Sequence, residues 1–330
     1  MLLISRTPLR VSLFGGGTDY PDYYLERRGA VVGLAIDKYI YIAALKLSGI
    51  QSYQYRIAYS RVEHVDSVAE IQHNAVKAAF DHYDIACPVD LSVMADMPAN
   101  SGLGSSSSFS VGLLNLIAHL KGQQVTKLDL ALNAIHLERD LLKENVGVQD
   151  QLHAAFGGIN RFDLDGKNFR ITPMMMRGEC LHQLMQSLVL VHTGVSRHAS
   201  AVVSEQLQRT RSGTIDRQLD SMLSLVDQAC DILTSSQPEH MLQELGAMLN
   251  DSWMLKRTLS PMVSTAEIDA LFDKAMTLGA LGGKLCGAGG GGFLLMIVPP
   301  PARDSFIEAM APARVINIGL DTQGSTIIYS

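Results

Sequence analysis

Surplus positive charge is missing from this sequence. Lys and Arg number 27 against 33 Asp and Glu, a net charge of −6. With no global field to gather phosphates, a nucleic-acid partner is not expected. Cysteine is sparse: Cys87, Cys180, Cys230 and Cys286 are scattered without C-x-x-C spacing, which argues against a disulfide frame or a zinc site. The longest apolar stretches, such as Gly291 to Pro301, fall well short of the ~20 residues that cross a bilayer. Arg6 interrupts the segment where a signal peptide needs its apolar run. The expectation is a cytoplasmic protein with no membrane partner. The ten His include no i, i+4 pair flanking a Glu, as a zinc protease would need. Repeats, low-complexity tracts and coiled coils are absent too.

What is present is ample material for a core: 330 residues, 47% of them apolar. That length predicts two domains. Leu2 to Phe14 and Ala30 to Leu47 read as strands, broken by Gly15-Gly16-Gly17-Thr18-Asp19-Tyr20-Pro21. A helix is predicted over Val68 to Tyr83, a strand over Val89 to Met97, and helices over Phe109 to Leu120 and Lys127 to Glu144. Phe109, Leu113, Leu116, Ile117 and Leu120 share one helical face. Polar residues between Asn160 and Pro173 suggest a turn, and the domain boundary is placed there, giving 1–165 and 166–330. The second half reads as the strand Leu188 to His192, helical segments from Ala199 to Leu278, and the strand Phe293 to Val298. Mixed elements in both halves indicate an α+β fold.

Pro98 to Ser108 is the most informative stretch. Gly102 and Gly104 let backbone amides approach a ligand, and Ser105 to Ser108 open a helix. A helix start offers unpaired N–H groups and a positive dipole end, which suit a nucleotide phosphate. A simple N-cap needs one serine, not four. No Lys follows the glycine, so this is no Walker A loop. The second glycine run, Gly287-Ala288-Gly289-Gly290-Gly291-Gly292, contains G-x-G-x-x-G but precedes a strand, which excludes a dinucleotide fold. Close backbone approach to a ligand is expected there, against the plainer alternative of a flexible hairpin turn.

Two acids and an arginine stand out. Glu138 projects onto the apolar stripe of its helix, within about 60° of Ala134, Ile135 and Leu141. A carboxylate there is costly unless a cation or metal meets it, and Arg139 or Lys143 could serve as well as a metal. Asp150 lies among small and apolar residues, where it is either a chemical group or a helix N-cap. Arg10, inside the first strand, either pairs with one of these acids or snorkels.

The three glycine-containing segments, in this order, resemble the GHMP superfamily of small-molecule kinases. The matching segments are Arg6 to Tyr20, Pro98 to Ser108, and Lys284 to Gly292. The first is most similar to the branch that phosphorylates the anomeric hydroxyl of sugars. Its Gly-Gly-Gly-Thr-Asp version, with Gln149-Asp150-Gln151 and Gly157-Gly158, is most similar to that of the heptose 7-phosphate kinases, with fucokinases close behind. The galactokinase pattern has Glu and His where this chain has Gly16 and Gly17.

The resemblance implies an N-terminal domain like the second domain of ribosomal protein S5, a ferredoxin-like C-terminal domain, and a cleft between them. ATP would be wrapped by Pro98, Asn100, Ser101, Gly102, Leu103, Gly104, Ser105, Ser106 and Ser107, with Mg²⁺ on Ser106 and Glu138. Asp150 would accept the proton of the sugar hydroxyl, and Arg10 would stand between Asp150 and the γ-phosphate. Gly17, Thr18, Asp19, Gly287, Ala288 and Gly289 would line the sugar. A phosphorylated sugar needs a second anion site, for which Arg197, Lys284 and Arg6 are candidates. The expected partner is a small-molecule sugar or sugar phosphate, and the expected assembly a monomer or homodimer. The competing expectations are a kinase of a neutral sugar such as L-fucose and a non-catalytic sugar sensor on the same fold.

Overall fold

The computed structural model describes residues 1–195 and 199–330. Two mostly antiparallel, hairpin-rich sheets organise them. The strands of the larger sheet are β1 (Leu2–Phe14), β2 (Gly29–Lys46), β3 (Tyr55–Ala58), β4 (Val62–Val65), β5 (Val89–Ala95), β6 (Ile159–Asp165) and β7 (Asn168–Pro173). The smaller sheet has β8 (Leu188–His192), β9 (Gly282–Leu285), β10 (Phe293–Ile297) and β11 (Val315–Asn317), before β12 (Thr326–Tyr329) returns to the first. The larger sheet runs β12-β1-β2-β5-β3-β4, with β6 also on β2 and β7 on β6; the smaller runs β11-β8-β10-β9. Only the β3–β5 pairing is parallel among these ladders.

β2 is long enough to serve two partners on one edge: Gly29 to Leu34 pair with β6, and Ile40 to Lys46 with β5. Because β6 and β7 form one hairpin on β2, the boundary expected between 165 and 166 falls inside that hairpin's turn. The polar cluster Asp163 to Asn168 marks a tight turn, not a linker. The change of sheet comes only after Pro173, and β12 pairs antiparallel with β1, so the chain's last strand belongs to the first lobe.

The helix Ser105–Leu120 packs on β1 and β2. Its sequence suggests one apolar face, but Val111 and Leu114 are buried along with Leu113, Leu116 and Ile117. A helix apolar on nearly all sides is a central one. Two other helices differ from expectation. A 3₁₀ turn at Val68–Glu70 precedes the helix Asn74–His82, which starts late because His73 caps it, its ring accepting from the Val76 N–H at 3.4 Å. The helix Lys127–His136 continues into a π-helical stretch, Leu137–Leu141, where the Leu142 N–H reaches back five residues to the Leu137 carbonyl at 3.0 Å. Such widened turns re-aim a side chain, here Glu138.

The main core crosses between the halves. Leu225, Val226, Leu242 and Leu249, on the helices Asp216–Ser235 and Pro238–Leu259, join the same apolar cluster as Phe14, Val32 and Leu113. A second cluster, with Val191, Trp253, Phe272, Leu294 and Phe306, supports the smaller sheet. The two lobes are therefore tied at one side and meet around a cavity at the other. Among the described residues, no helix is long and apolar enough to cross a membrane.

Candidate active site

The cavity, about 530 Å³, draws its walls from both lobes: Arg10, Asp19 and Asp150 on one side, Lys256, Lys284 and Gly287 on the other. That volume suits a small metabolite.

Arg10 is 4% exposed in β1, a position that demands a counter-charge. It has one. Its Nε donates to Asp150 Oδ1 at 2.8 Å and its Nη2 to Oδ2 at 2.9 Å, a two-toothed pairing, while Nη1 donates to the Gly102 carbonyl at 2.6 Å. The Arg10 N–H adds a bond to the Leu103 carbonyl at 3.0 Å. One arginine thus fastens the carboxylate to the glycine loop. The Asp150 side chain keeps 25% exposure, so it remains open to the cavity. No side-chain cap is made by the residue before its helix, Gln149–Phe156, and Asp150 itself lies within the first turn, so the N-cap alternative does not apply.

Successive side chains on a helix point about 100° apart, and the segment Gln149-Asp150-Gln151 uses that spread. Gln149 Nε2 donates to Asp19 Oδ2 at 3.0 Å, Asp150 takes Arg10, and Gln151 Nε2 donates to Glu138 Oε2. Three consecutive residues thereby tie three separate acidic or basic groups into one constellation.

Asp19, 1% exposed, also accepts from the Gly17 N–H at 2.9 Å. Burial pushes its carboxyl above the ordinary range, the Gly17 bond pulls it back, and the Asp150 charge pushes it up again.

Glu138 is fully buried. Its oxygens accept from Ser107 Oγ at 2.9 Å, from Ser110 Oγ at 2.7 Å and from Gln151. Arg139, the neighbouring cation, instead donates to the Tyr24 hydroxyl at 2.8 Å. Desolvation therefore dominates, and the carboxyl is raised to about 7 despite the three donors. A buried carboxylate beside two serine hydroxyls, without a cationic side chain, is a donor set that fits a hard divalent cation. Ser106 lies exposed at the helix start, and it is Ser107 and Ser110 that touch Glu138.

The two glycine loops meet each other. A Cβ on Gly102 would come within 2.7 Å of the Cys286 carbonyl, and one on Gly287 within 2.6 Å of Gly102 Cα. Gly102 also sits at φ +77°, where L side chains are strained. The second loop is the turn of the β9–β10 hairpin, and its glycines serve contact with the first loop as much as with any ligand. Gly102, Gly104, Gly287 and Ala288 face the cavity, whereas a Cβ at Gly289 would meet Val263.

Two buried lysines close the opposite wall. Lys256 Nζ donates to the Leu285 carbonyl at 2.8 Å and to the Gly287 carbonyl; Lys284 Nζ donates to the Leu13 carbonyl at 2.7 Å. Burial lowers Lys256 to about 7 and Lys284 to about 8.

Several expected residues lie elsewhere. Arg6 is stacked over Tyr39, 4.8 Å from the ring centroid, and donates to Gln323 at 2.7 Å, so it is no part of the cavity wall. Thr18, fully buried, spends its hydroxyl on the Gly15 and Ala30 carbonyls, each at 2.8 Å, and pins the loop to β2. Leu103 is buried in the core and offers only its carbonyl. Pro98 and Asn100 are exposed, while Ser101 is buried. Arg197 lies outside the described residues. Sequence reasoning missed Lys256, Ser110 and the two glutamines as anchors. The Gln149-Asp150-Gln151 triplet was the signal available for the latter.

A cleft of this kind, with a serine-rich helix start beside a carboxylate pinned by arginine, defines the class: a small-molecule phosphotransferase. Comparison with known proteins narrows it. A model of the GHMP kinases N terminal domain matches residues 69–158, and one of the GHMP kinases C terminal matches residues 238–317. The chain belongs to the GHMP kinase family, whose members take their phosphate from ATP. It is 27% identical over 298 residues to the D-glycero-alpha-D-manno-heptose 7-phosphate kinase of Campylobacter jejuni, covering 86% of each chain. Against the bifunctional fucokinase/GDP-fucose pyrophosphorylase of Arabidopsis thaliana it is 24% identical, over 86% of this chain and 28% of that longer protein. A crystal structure of a D-glycero-D-manno-heptose 1-phosphate kinase from Bacteriodes thetaiotaomicron superposes with a TM-score of 0.80 at 22% identity, over the whole of both chains.

Proposed function

We propose that this chain transfers the γ-phosphate of ATP to the anomeric hydroxyl of a sugar, and that the sugar is D-glycero-D-manno-heptose 7-phosphate, giving the 1,7-bisphosphate. The observation that carries it is the Asp150 carboxylate, open to a metabolite-sized cavity and pinned by Arg10 to the glycine loop. The heptose kinase of Campylobacter jejuni, matched over 86% of both chains, supports the choice of sugar.

Asp150 accepts the hydroxyl proton as the sugar oxygen bonds to the γ-phosphorus and the bond to the departing ADP oxygen breaks. General-base help of this sort is worth ~10²–10⁴ in rate. The transition state is loose, so alignment and charge neutralisation do most of the work. Arg10 supplies fixed positive charge beside both partners. The free N–H groups where Ser105 to Ser107 begin their helix hold the phosphates, with Gly104, Gly102, Ser101, Asn100 and Pro98 shaping the loop. Glu138 with Ser106 or Ser107 would hold Mg²⁺, which when bound neutralises charge on the β- and γ-phosphates. Gly17, Asp19, Gly287 and Ala288 line the sugar; Asp19 is kept in place by Gln149.

The test is ADP release measured across a panel of sugars and sugar phosphates. D-glycero-D-manno-heptose 7-phosphate should give the highest kcat/KM. A neutral hexose or L-fucose performing better would move the chain to the neutral-sugar reading, and no sugar-dependent ADP release at all would overturn the kinase assignment.

A further inference from the structure

A second cavity, about 260 Å³, adjoins the first: Tyr20, Lys143, Glu144, Asn145 and Val146 line both. None of the glycine-loop residues that face the main cavity belongs to this second wall, so it opens at the end away from the nucleotide loop. A ligand with its reacting hydroxyl at Asp150 would extend its far end toward Lys143.

The charges there are unevenly engaged. Asp22 is held by Arg211, whose Nε lies 2.5 Å from Oδ1, and Asp140 by His136 Nδ1 at 2.7 Å. Lys143 makes no hydrogen bond or ion pair with any other described residue, and it stands at φ +59° two residues beyond the π-helical stretch that carries Glu138. Arg139, from that stretch, has only a neutral partner, the Tyr24 hydroxyl. Glu144 is the remaining carboxylate of the shared wall; partial burial raises its carboxyl above the ordinary range, and it pairs with neither Lys143 nor Arg139. Two cations without a counter-ion, at the distal end of an acceptor cavity, are a seat for a dianion.

We propose that Lys143 and Arg139 bind the distal phosphomonoester of the acceptor and so set the preference for a phosphorylated over a free sugar. This rests on the kinase function proposed above and deepens it. It also replaces Arg6, which faces another part of the protein, as the second anion site.

The experiment compares kcat/KM for D-glycero-D-manno-heptose 7-phosphate and for the free heptose in the wild type, Lys143→Ala, Lys143→Arg and Lys167→Ala, the last an exposed lysine in the β6–β7 turn. The wild type should favour the phosphorylated sugar. Lys143→Ala should cut that ratio at least tenfold through the KM for the sugar phosphate, Lys143→Arg should restore most of it, and Lys167→Ala should leave the ratio as in the wild type. A ratio unchanged in Lys143→Ala, or a raised KM for ATP in place of the sugar phosphate, overturns the site. Calorimetric titration with the sugar phosphate alone separates the two claims. Binding that weakens in Lys143→Ala upholds the phosphate seat even if turnover is absent and the kinase assignment falls, and no binding to the wild type overturns the seat.

Discussion

The two walls of the cleft handle buried positive charge differently. On the first, Arg10 meets a carboxylate with two parallel bonds and adds a carbonyl. On the second, Lys256 and Lys284 meet carbonyl oxygens and no carboxylate. Carbonyl dipoles return only part of the hydration an ammonium loses, so the second wall's cations titrate near neutrality whereas the first wall carries its own counter-charge. A fixed ion pair is suited to orienting a proton acceptor, and cations lacking counter-ions are suited to ordering a backbone loop. Lys256 does the latter by bonding both ends of the turn that leads into the second glycine run.

Asp150→Asn attacks the paired wall, and its effect should be the largest. Loss of the proton acceptor predicts a kcat ~10²–10⁴ lower, with ATP affinity retained because the helix start is untouched. Steady-state kinetics together with nucleotide binding check this. Turnover within a few-fold of wild type would remove Asp150 from the chemistry and leave the pair a purely structural clamp.

Lys256→Met attacks the unpaired wall, where the expected effect is smaller and lies in stability as a function of pH. The folded-state value, about 7, is below the ordinary 10.5, so between those limits the unfolded chain binds more protons than the folded one. Stability contributed by this residue must therefore rise with pH across the window, by at most about 1.4 kcal/mol per pH unit for one proton. Lys284, lowered to about 8, adds the same sign over the upper part of the window. Denaturant midpoints from pH 7 to 10 for wild type and variant test it. The wild type should gain steadily on the variant as pH rises, and parallel curves would show that Lys256 is not desolvated as its surroundings require.

Much of the paired wall was legible in the sequence, and little of the unpaired one. Glu138 and Asp150 reveal themselves locally, as acids among apolar neighbours, and the serine run reveals a helix start. Lys256 sits between Leu255 and Arg257 near the end of a helix and reads as an ordinary surface charge. Its burial arises only when the β9–β10 turn, some thirty residues later, folds over it. The same holds for Thr18, whose hydroxyl is spent on a carbonyl twelve residues away. The expected boundary lies in a hairpin turn because a hairpin turn and a linker share one polar composition, and only pairing with β2 tells them apart. Apolar spacing turns Glu138 inward, but the π-helical turn that aims it has no signature in that spacing.

Arg6 supplies the sharpest control on the first wall, because it occupies the same strand as Arg10, four residues earlier and so about 13 Å away along it. Its guanidinium has a ring face and a glutamine oxygen for company, with no carboxylate and no share of the cavity. Arg6→Ala should lower stability by about 0.5–1 kcal/mol, the worth of a cation–π contact at a partly exposed site. Its kcat and its KM for sugar phosphate should stay within twofold of wild type. A tenfold rise in that KM would return Arg6 to the acceptor site and place the distal phosphate beyond Tyr39, at the expense of Lys143. The comparison of the two arginines thus turns on position along one strand: charge alone, without a path into the cavity, should carry no kinetic weight.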